Sequence, residues 1–316
     1  MNRFIKKYTL YLSGCFSLLL SSCIPENLNN CEIYRIHFVY DYNIEFTDRF
    51  SKEATKMNLY VFDEAGDFVE EFQETKTPFF PSYNMEISLP KGRYTFIAWS
   101  GVYDDAYTIE GGEALKEIGL NDFKLRLTRL ADGETDQELP GLFYGRLTST
   151  VRTNVVDTIS LMKNSKTINL SIQTYQGTQT KPLVKEDYEI KIESPSGIYD
   201  SNNNPSGSII GYMPYMEENS TNGFYLKLNT LRLMADVKNE LVVKVADSGK
   251  DLFRLDLNKI FDELRKMEYR ELSMQEYLDR QDNYDIVLML GERDGGFNSV
   301  SIAINGWIIR NENIHN

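Results

Sequence analysis

The residues best placed to do chemistry in this chain are Leu20, Ser21, Ser22 and Cys23. A thiol directly after two small residues, at the end of an apolar run, is the arrangement in which diacylglycerol is transferred to the cysteine sulfur. A peptidase then cuts on the N-terminal side of that cysteine. The alternative is an ordinary cleaved signal with a chance cysteine, but a small, small, Cys triplet at this point rarely arises by accident. Cys23 is therefore the expected lipidation site, as in bacterial lipoproteins. Ile24 follows it instead of the acidic residue that retains such proteins in the inner membrane of some Gram-negative bacteria, so outer-membrane placement is expected. Each acyl CH₂ buried is worth about 0.8 kcal/mol, so two or three chains hold a protein firmly without any protein helix.

The remaining chemistry-bearing residues are sparse. Outside the leader there are two histidines, His37 on the polar face of a predicted strand and His315 near the C-terminus, and neither has a ligand at helical or hairpin spacing. No G-x-S-x-G elbow, phosphate-binding loop or H-E-x-x-H is present. Glu292 and Asp294, followed by two glycines, read as a hairpin turn and not as a calcium cage. Carboxylates are abundant, and a pair of them could in principle serve glycoside hydrolysis, but a solvated acidic surface explains them better. We expect no catalytic residue, no metal ligand and no cofactor. Cys15 leaves with the leader and Cys23 is acylated, so Cys31 has no partner in its own chain and cohesion rests on packing.

These residues are positioned by what surrounds them. Arg3, Lys6 and Lys7 precede the apolar stretch 8–20, the layout of a secretory signal. That stretch is well short of the roughly 20 residues that cross a bilayer. Removing 1–22 takes the formal charge from −13 to about −16. Such a surface repels phosphate backbones, so nucleic acid is not an expected partner. The mature length exceeds what one core usually organises, which predicts an N-terminal domain over 23–156 and a C-terminal domain over 157–316.

Short alternating runs separated by turns predict antiparallel strands with one buried face. In YRIHFVY, Tyr34, Ile36, Phe38 and Tyr40 share one face while Arg35 and His37 share the other. Strands at 59–62 and 68–72 flank a tight turn at Gly66, and 85–89 pairs with RYTFIAW. KTINLSIQTY starts a second β unit, with Ile168, Leu170 and Ile172 in register. Residues 100–121 read as a polar connection, and 194–211, rich in Ser, Asn, Pro and Gly, as a long surface loop. A capping box at Ser273 and Glu276 opens one helix, 257–264 forms another, and two strands of a last hairpin close the chain. The expected fold is all-β, two tandem Greek-key sandwiches with a small helical insertion in the second.

Taken together, Cys23, HFVYDYN, LYVFDEAGDF, ISLPKGRYTFIAWSG, ELPGLFYG and the stretch from QEYLDRQDNYDIVLML to INGW resemble the fimbrial anchor lipoproteins of Bacteroides-type bacteria, the FimB/Mfa fimbrillin-associated anchor family. The resemblance covers nearly the whole mature chain. It implies transthyretin-like sandwiches, fimbrial subunits as protein partners, and a role in anchoring a fimbria to the outer membrane and limiting its length. It implies no enzymatic residues. In the wider superfamily, shaft subunits lose an N-terminal strand to a trypsin-like protease and exchange strands. Arg49, just after the first strand, is the residue where such a cut could fall here, although losing that segment would also lose the anchor. The chain ends soon after its last hairpin, which suits a terminal position better than a repeated one. The alternative is a surface lipoprotein that binds glycan or host protein through the loops 100–121 and 194–211, with Tyr103 and Tyr107 as stacking residues.

Overall fold

The computed structural model describes residues 31–110, 112–152, 155–174, 182–293 and 296–313. Alternation decides the first strand as expected. Tyr34, Ile36, Phe38 and Tyr40 are buried on one face of β1 (Cys31–Tyr42), while Arg35 and His37 are only half-buried on the other. After the short helix α1 (Phe50–Glu53) come β2 (Lys56–Phe62), β3 (Phe68–Thr75), β4 (Asn84–Pro90), β5 (Arg93–Ser100), β6 (Tyr107–Ile109), β7 (Lys124–Leu127), β8 (Glu134–Thr135), β9 (Phe143–Thr150) and β10 (Val156–Lys163). The rest of the chain supplies β11 (Lys166–Thr174), β12 (Tyr188–Ser194), β13 (Ile198–Asp200), β14 (Pro205–Ser206), β15 (Ile210–Tyr212), β16 (Pro214–Ser220), β17 (Gly223–Thr230), β18 (Glu240–Val245) and β19 (Asp251–Asp256). Helices α2 (Leu257–Glu268) and α3 (Met274–Arg280) then lead into β20 (Asn283–Arg293), β21 (Gly296–Ile304) and β22 (Trp307–Asn313).

The architecture is mostly β, in two tiers. In the first, a seven-stranded sheet runs β3-β2-β5-β9-β10-β1-β4. The described β9 and β10 pairs are Met162 with Tyr144 and Lys163 with Phe143, at one end of the two strands, and the β1 side of the sheet packs over the β5 side. Tyr34 then stacks on Phe96 at 5.7 Å, and Tyr40 meets Phe143 edge-on at 5.0 Å. A four-stranded sheet, β14-β13-β7-β6, covers the outer face of β2 and β5, where Phe123 packs on Tyr60 at 4.8 Å and Tyr199 on Trp99 at 6.1 Å. The second tier sets a six-stranded sheet, β16-β17-β11-β20-β21-β22, against a five-stranded one, β19-β18-β12-β15-β8. Asp256 caps α2 by accepting from the Lys259 amide, and Ser273 caps α3 by accepting from the Glu276 amide at 3.2 Å. Phe261 of α2 stacks on Tyr284 of β20 at 3.9 Å, which seats the helices on the sheet. No helix among the described residues is long and apolar enough to cross a membrane.

Strand pairing runs across position 156/157. Strand β10 lies parallel to β1 in the first tier, β13 and β14 extend the sheet of β6 and β7, and β8 joins β15 in the second tier. One apolar core consequently continues from Tyr60 and Trp99 in the first tier to Leu226 and Ile302 in the second.

The surface loop expected at 194–211 is not one. Tyr199 and Ile210 are fully buried, and Ser201 accepts from Tyr144 Oη at 2.7 Å. Asp200 explains the misreading: its Oδ1 accepts from the Asn202 and Asn204 amides at 2.8 and 2.9 Å, and Asn203 takes φ 64°. Turn-forming residues thus close a tight hairpin, whose composition is that of a loop. The polar connection at 100–121 likewise contains β6, with Tyr107 fully buried.

Because Tyr199 carries the second half of the chain into the first tier, Tyr199→Ala is expected to cost about 3–5 kcal/mol. Calorimetry should show a single transition at lowered temperature. Two resolved transitions, only one of them displaced, would contradict the shared core.

Candidate functional site

Strand β1 connects the two places where an anchoring role would act. It starts opposite the β4–β5 turn, where Cys31 faces Pro90, and ends at Tyr42 against α3. At about 3.3 Å per residue its twelve residues span roughly 40 Å. Both edges are paired, with β10 in parallel and β4 in antiparallel register. Whatever is fixed to the chain ahead of β1 therefore departs from the pole of the first tier opposite the junction. Cys23 lies outside the described residues.

The chain turns sharply after β1 because side chains replace backbone partners. Asn43 Nδ2 donates to the carbonyls of Tyr40 and Thr47 at 2.9 and 2.7 Å, and Asp48 Oδ1 accepts from the amides of Tyr40 and Phe50 at 2.9 and 3.0 Å. Arg49 sits at the start of α1, with its amide on the Tyr40 carbonyl and its guanidinium paired to Glu45 at 2.6 Å and Glu53 at 2.8 Å.

Between the tiers lies a waist built from charge. Lys163 Nζ bridges Glu53 at 2.8 Å and Asp282 at 2.7 Å. The Arg280 guanidinium lies 4.1 Å from the ring centroid of Tyr42 and 4.4 Å from that of Phe46, and donates to the Asn43 carbonyl. Arg232 grips Asp279 through two bonds of 2.7 and 2.8 Å and also donates to the Asn203 carbonyl. Removing one partner of so buried a pair strands a charge, at a cost of about 3–5 kcal/mol. Lys166, fully buried, donates to the Asp279 carbonyl at 2.9 Å. Burial pushes its ammonium down to about 8, against the attraction of Asp279 and Asp282. Beside this network opens a polar cleft of about 570 Å³, whose walls include Tyr40, Asn43, Arg49, Lys163, Asp282 and Asn305.

Other residues singled out by the sequence do not converge. His37 Nδ1 meets the Tyr83 carbonyl at 2.9 Å, and His315 and Asp294 lie outside the described residues. Among the described residues no three His, Cys, Asp or Glu side chains form a metal-binding group. Tyr107 cannot stack on a ligand, because its ring is fully buried and its hydroxyl donates to the Pro140 carbonyl. Tyr103 is half-buried with its hydroxyl on Thr55 Oγ1 at 2.9 Å. Sequence reasoning missed the waist, whose partners Lys163 and Glu53 stand 110 positions apart. One signal was available: Lys166 shares the parity of Ile168, Leu170 and Ile172, which places a lysine on the core face.

A family model for the fimbrillin-A associated anchor proteins Mfa1 and Mfa2 matches residues 28–313. Among solved structures, a Bacteroides thetaiotaomicron protein described as a candidate polysaccharide-binding protein is 31% identical, with a TM-score of 0.78 over 90% of this chain and 98% of its own. A candidate adhesin from the same species is 24% identical, with a TM-score of 0.76 over 90% and 98%. The fimbrial anchor protein Mfa2 from Porphyromonas gingivalis is 20% identical, with a TM-score of 0.71 over 89% and 100%, a likeness of fold. No curated protein matches the chain significantly.

Lys166 makes stability depend on pH. Below about pH 8 it is charged in both the folded and the unfolded chain. Between pH 8 and 10 the folded lysine is neutral while the unfolded one keeps its proton, so stability should rise with pH there. Above pH 10 the buried tyrosines, whose values burial raises, reverse the trend. Melting temperatures across this window should show the rise, and Lys166→Met should flatten it. An unchanged slope in the variant would assign the effect elsewhere.

Proposed function

The chain belongs to the family of fimbrillin-A associated anchor proteins, and from that premise we propose that it moors a surface fimbria to the outer membrane. Acyl chains on Cys23 hold it there, and its folded tiers engage the fimbrial subunits and limit fimbrial length. The role is structural and uses no catalysis. The observation that carries this reading is the position of β1, which pairs with a strand on each side and joins the pole where the described residues begin to the waist. In this reading both tiers are transthyretin-like sandwiches, 23–156 and 157–316, stitched together by the exchanged strands.

The mature chain keeps β1. Arg49 caps a helical turn, with its guanidinium held between two glutamates and its amide on the Tyr40 carbonyl. A cut there would also uncover the core that Tyr34, Ile36, Phe38 and Tyr40 close.

A second reading, binding of glycan at the surface, draws on the description of the 31%-identical relative. With Tyr107 buried, the polar cleft at the waist is the better place for it than the loops.

Intact mass of protein taken from its native membrane should correspond to an acylated chain beginning at Cys23. Deleting the gene, or exchanging Cys23→Ala, should shed fimbriae into the medium or change their length. A chain beginning at residue 50, or firmly attached fibres of unchanged length after deletion, would end the mooring reading.

A further inference from the structure

Away from the waist, a pocket of about 350 Å³ opens in the first tier, on the side of β2 and β3 where Phe123 packs on Tyr60. Residues of the connection 102–115 form its other wall. Strand register sets Asn58 opposite Gln73 and Tyr60 opposite Glu71, and all four side chains line the pocket. Alternate positions share a face, so these two cross-strand pairs stand side by side.

Asn58 is 3% exposed, and its amide is satisfied on one side only. Its Nδ2 donates to Glu71 Oε1 at 2.7 Å and to Gln73 Oε1 at 3.1 Å, whereas its Oδ1 has no hydrogen-bond partner. Turning the amide over would set its oxygen against the Glu71 carboxylate, which only accepts, so the unpartnered atom is an acceptor. An acceptor left unmatched at that depth is unfavourable, and a donor would relieve it.

The charge beside Asn58 is unmatched as well. Among the described residues neither Glu71 nor Asp104 is held in a salt bridge by a lysine or an arginine. The cation in the lining, Lys56, lies over the Tyr103 ring at 5.5 Å. Burial first, and the negative field of Glu71 second, raise the Tyr60 phenol well above its ordinary value. Val102, Ile109 and Leu115 give the same pocket an apolar side.

We propose that this pocket receives a basic side chain, lysine or arginine, presented by a protein partner. The aliphatic stem lies along Val102, Ile109 and Leu115, and the N–H groups turn to Asn58 Oδ1 and the carboxylates of Glu71 and Asp104. A phosphate or carboxylate would meet two unpaired acids and an acceptor, and a neutral sugar would leave both acids unpaired. Asp105, exposed beside Asp104, and the formal charge of −13 favour a basic protein surface. The inference stands apart from the mooring reading, because it can be read on the isolated protein.

The test titrates the full chain, methyl-labelled at Ile and Leu, with Nα-acetyl-lysine methylamide and with its arginine and norleucine counterparts. The basic probes should shift the Ile109 and Leu115 methyl signals saturably while Ile302 stays fixed. Norleucine, which keeps the stem and lacks the charge, should bind at least about fivefold more weakly. Whichever basic probe saturates first identifies the residue presented. Glu71→Gln keeps an oxygen for Asn58 Nδ2 at an exposed position, so it should leave the melting temperature unchanged and weaken the basic probes at least about fivefold. Asp104→Asn should weaken them too. No saturable shift, equal binding of norleucine, or full affinity in both variants would overturn the proposal. Cadaverine bound more tightly than the blocked lysine would assign the pocket to a free amine and end the protein partner.

Discussion

Pairing of β1 along both of its edges is the constraint on which the rest of the molecule depends. Its core face contributes Tyr34, Ile36, Phe38 and Tyr40, each worth about 1.5–3 kcal/mol of burial. The strand cannot leave without opening two ladders and uncovering the aromatic cluster of Phe50, Phe79 and Tyr83 beneath Phe38. A pull applied ahead of Cys31 runs along the strand and across its hydrogen bonds, so many bonds share the load at once. Mooring through a flexible tail to a peripheral element would load bonds one after another.

Polar groups then make a single body of two tiers. An apolar joint would tolerate sliding, because dispersion contacts are numerous and non-directional. Lys163 between Glu53 and Asp282, and Arg280 between Tyr42 and Phe46, have directional requirements that one relative placement satisfies. Burying these charges is costly unless every one is paired, so rearrangement is penalised more heavily than the pairs themselves stabilise. The exchanged strands act in the same sense. With β13 beside β7 and β8 beside β15, the tiers cannot separate without breaking sheets.

Much of the fold was legible in the sequence because strand alternation and caps are local. β1, the Gly66 turn and both helices lie where periodicity and capping residues put them, since a two-residue repeat and a Ser273 to Glu276 bond involve neighbours only. The motifs LYVFDEAGDF and ISLPKGRYTFIAWSG pointed to the family that the family model then matched. The segment 194–211 was misread because an Asx turn and a disordered loop draw on the same residues, and only hydrogen-bond partners tell them apart.

By itself the sequence determined the β character, the core-facing residues of strands such as β1 and β11, the helix starts and the family, all of which follow from residue type and spacing along the chain. The tertiary structure alone decided which strands cross between tiers, that Tyr107 and Tyr199 are buried and where Lys163 finds its acids. The physical reason is that pairing partners more than a hundred residues apart are chosen by the closing of loops and the joint burial of charge. Those energies depend on the whole folded chain and leave no periodic trace in the part of it where either partner sits.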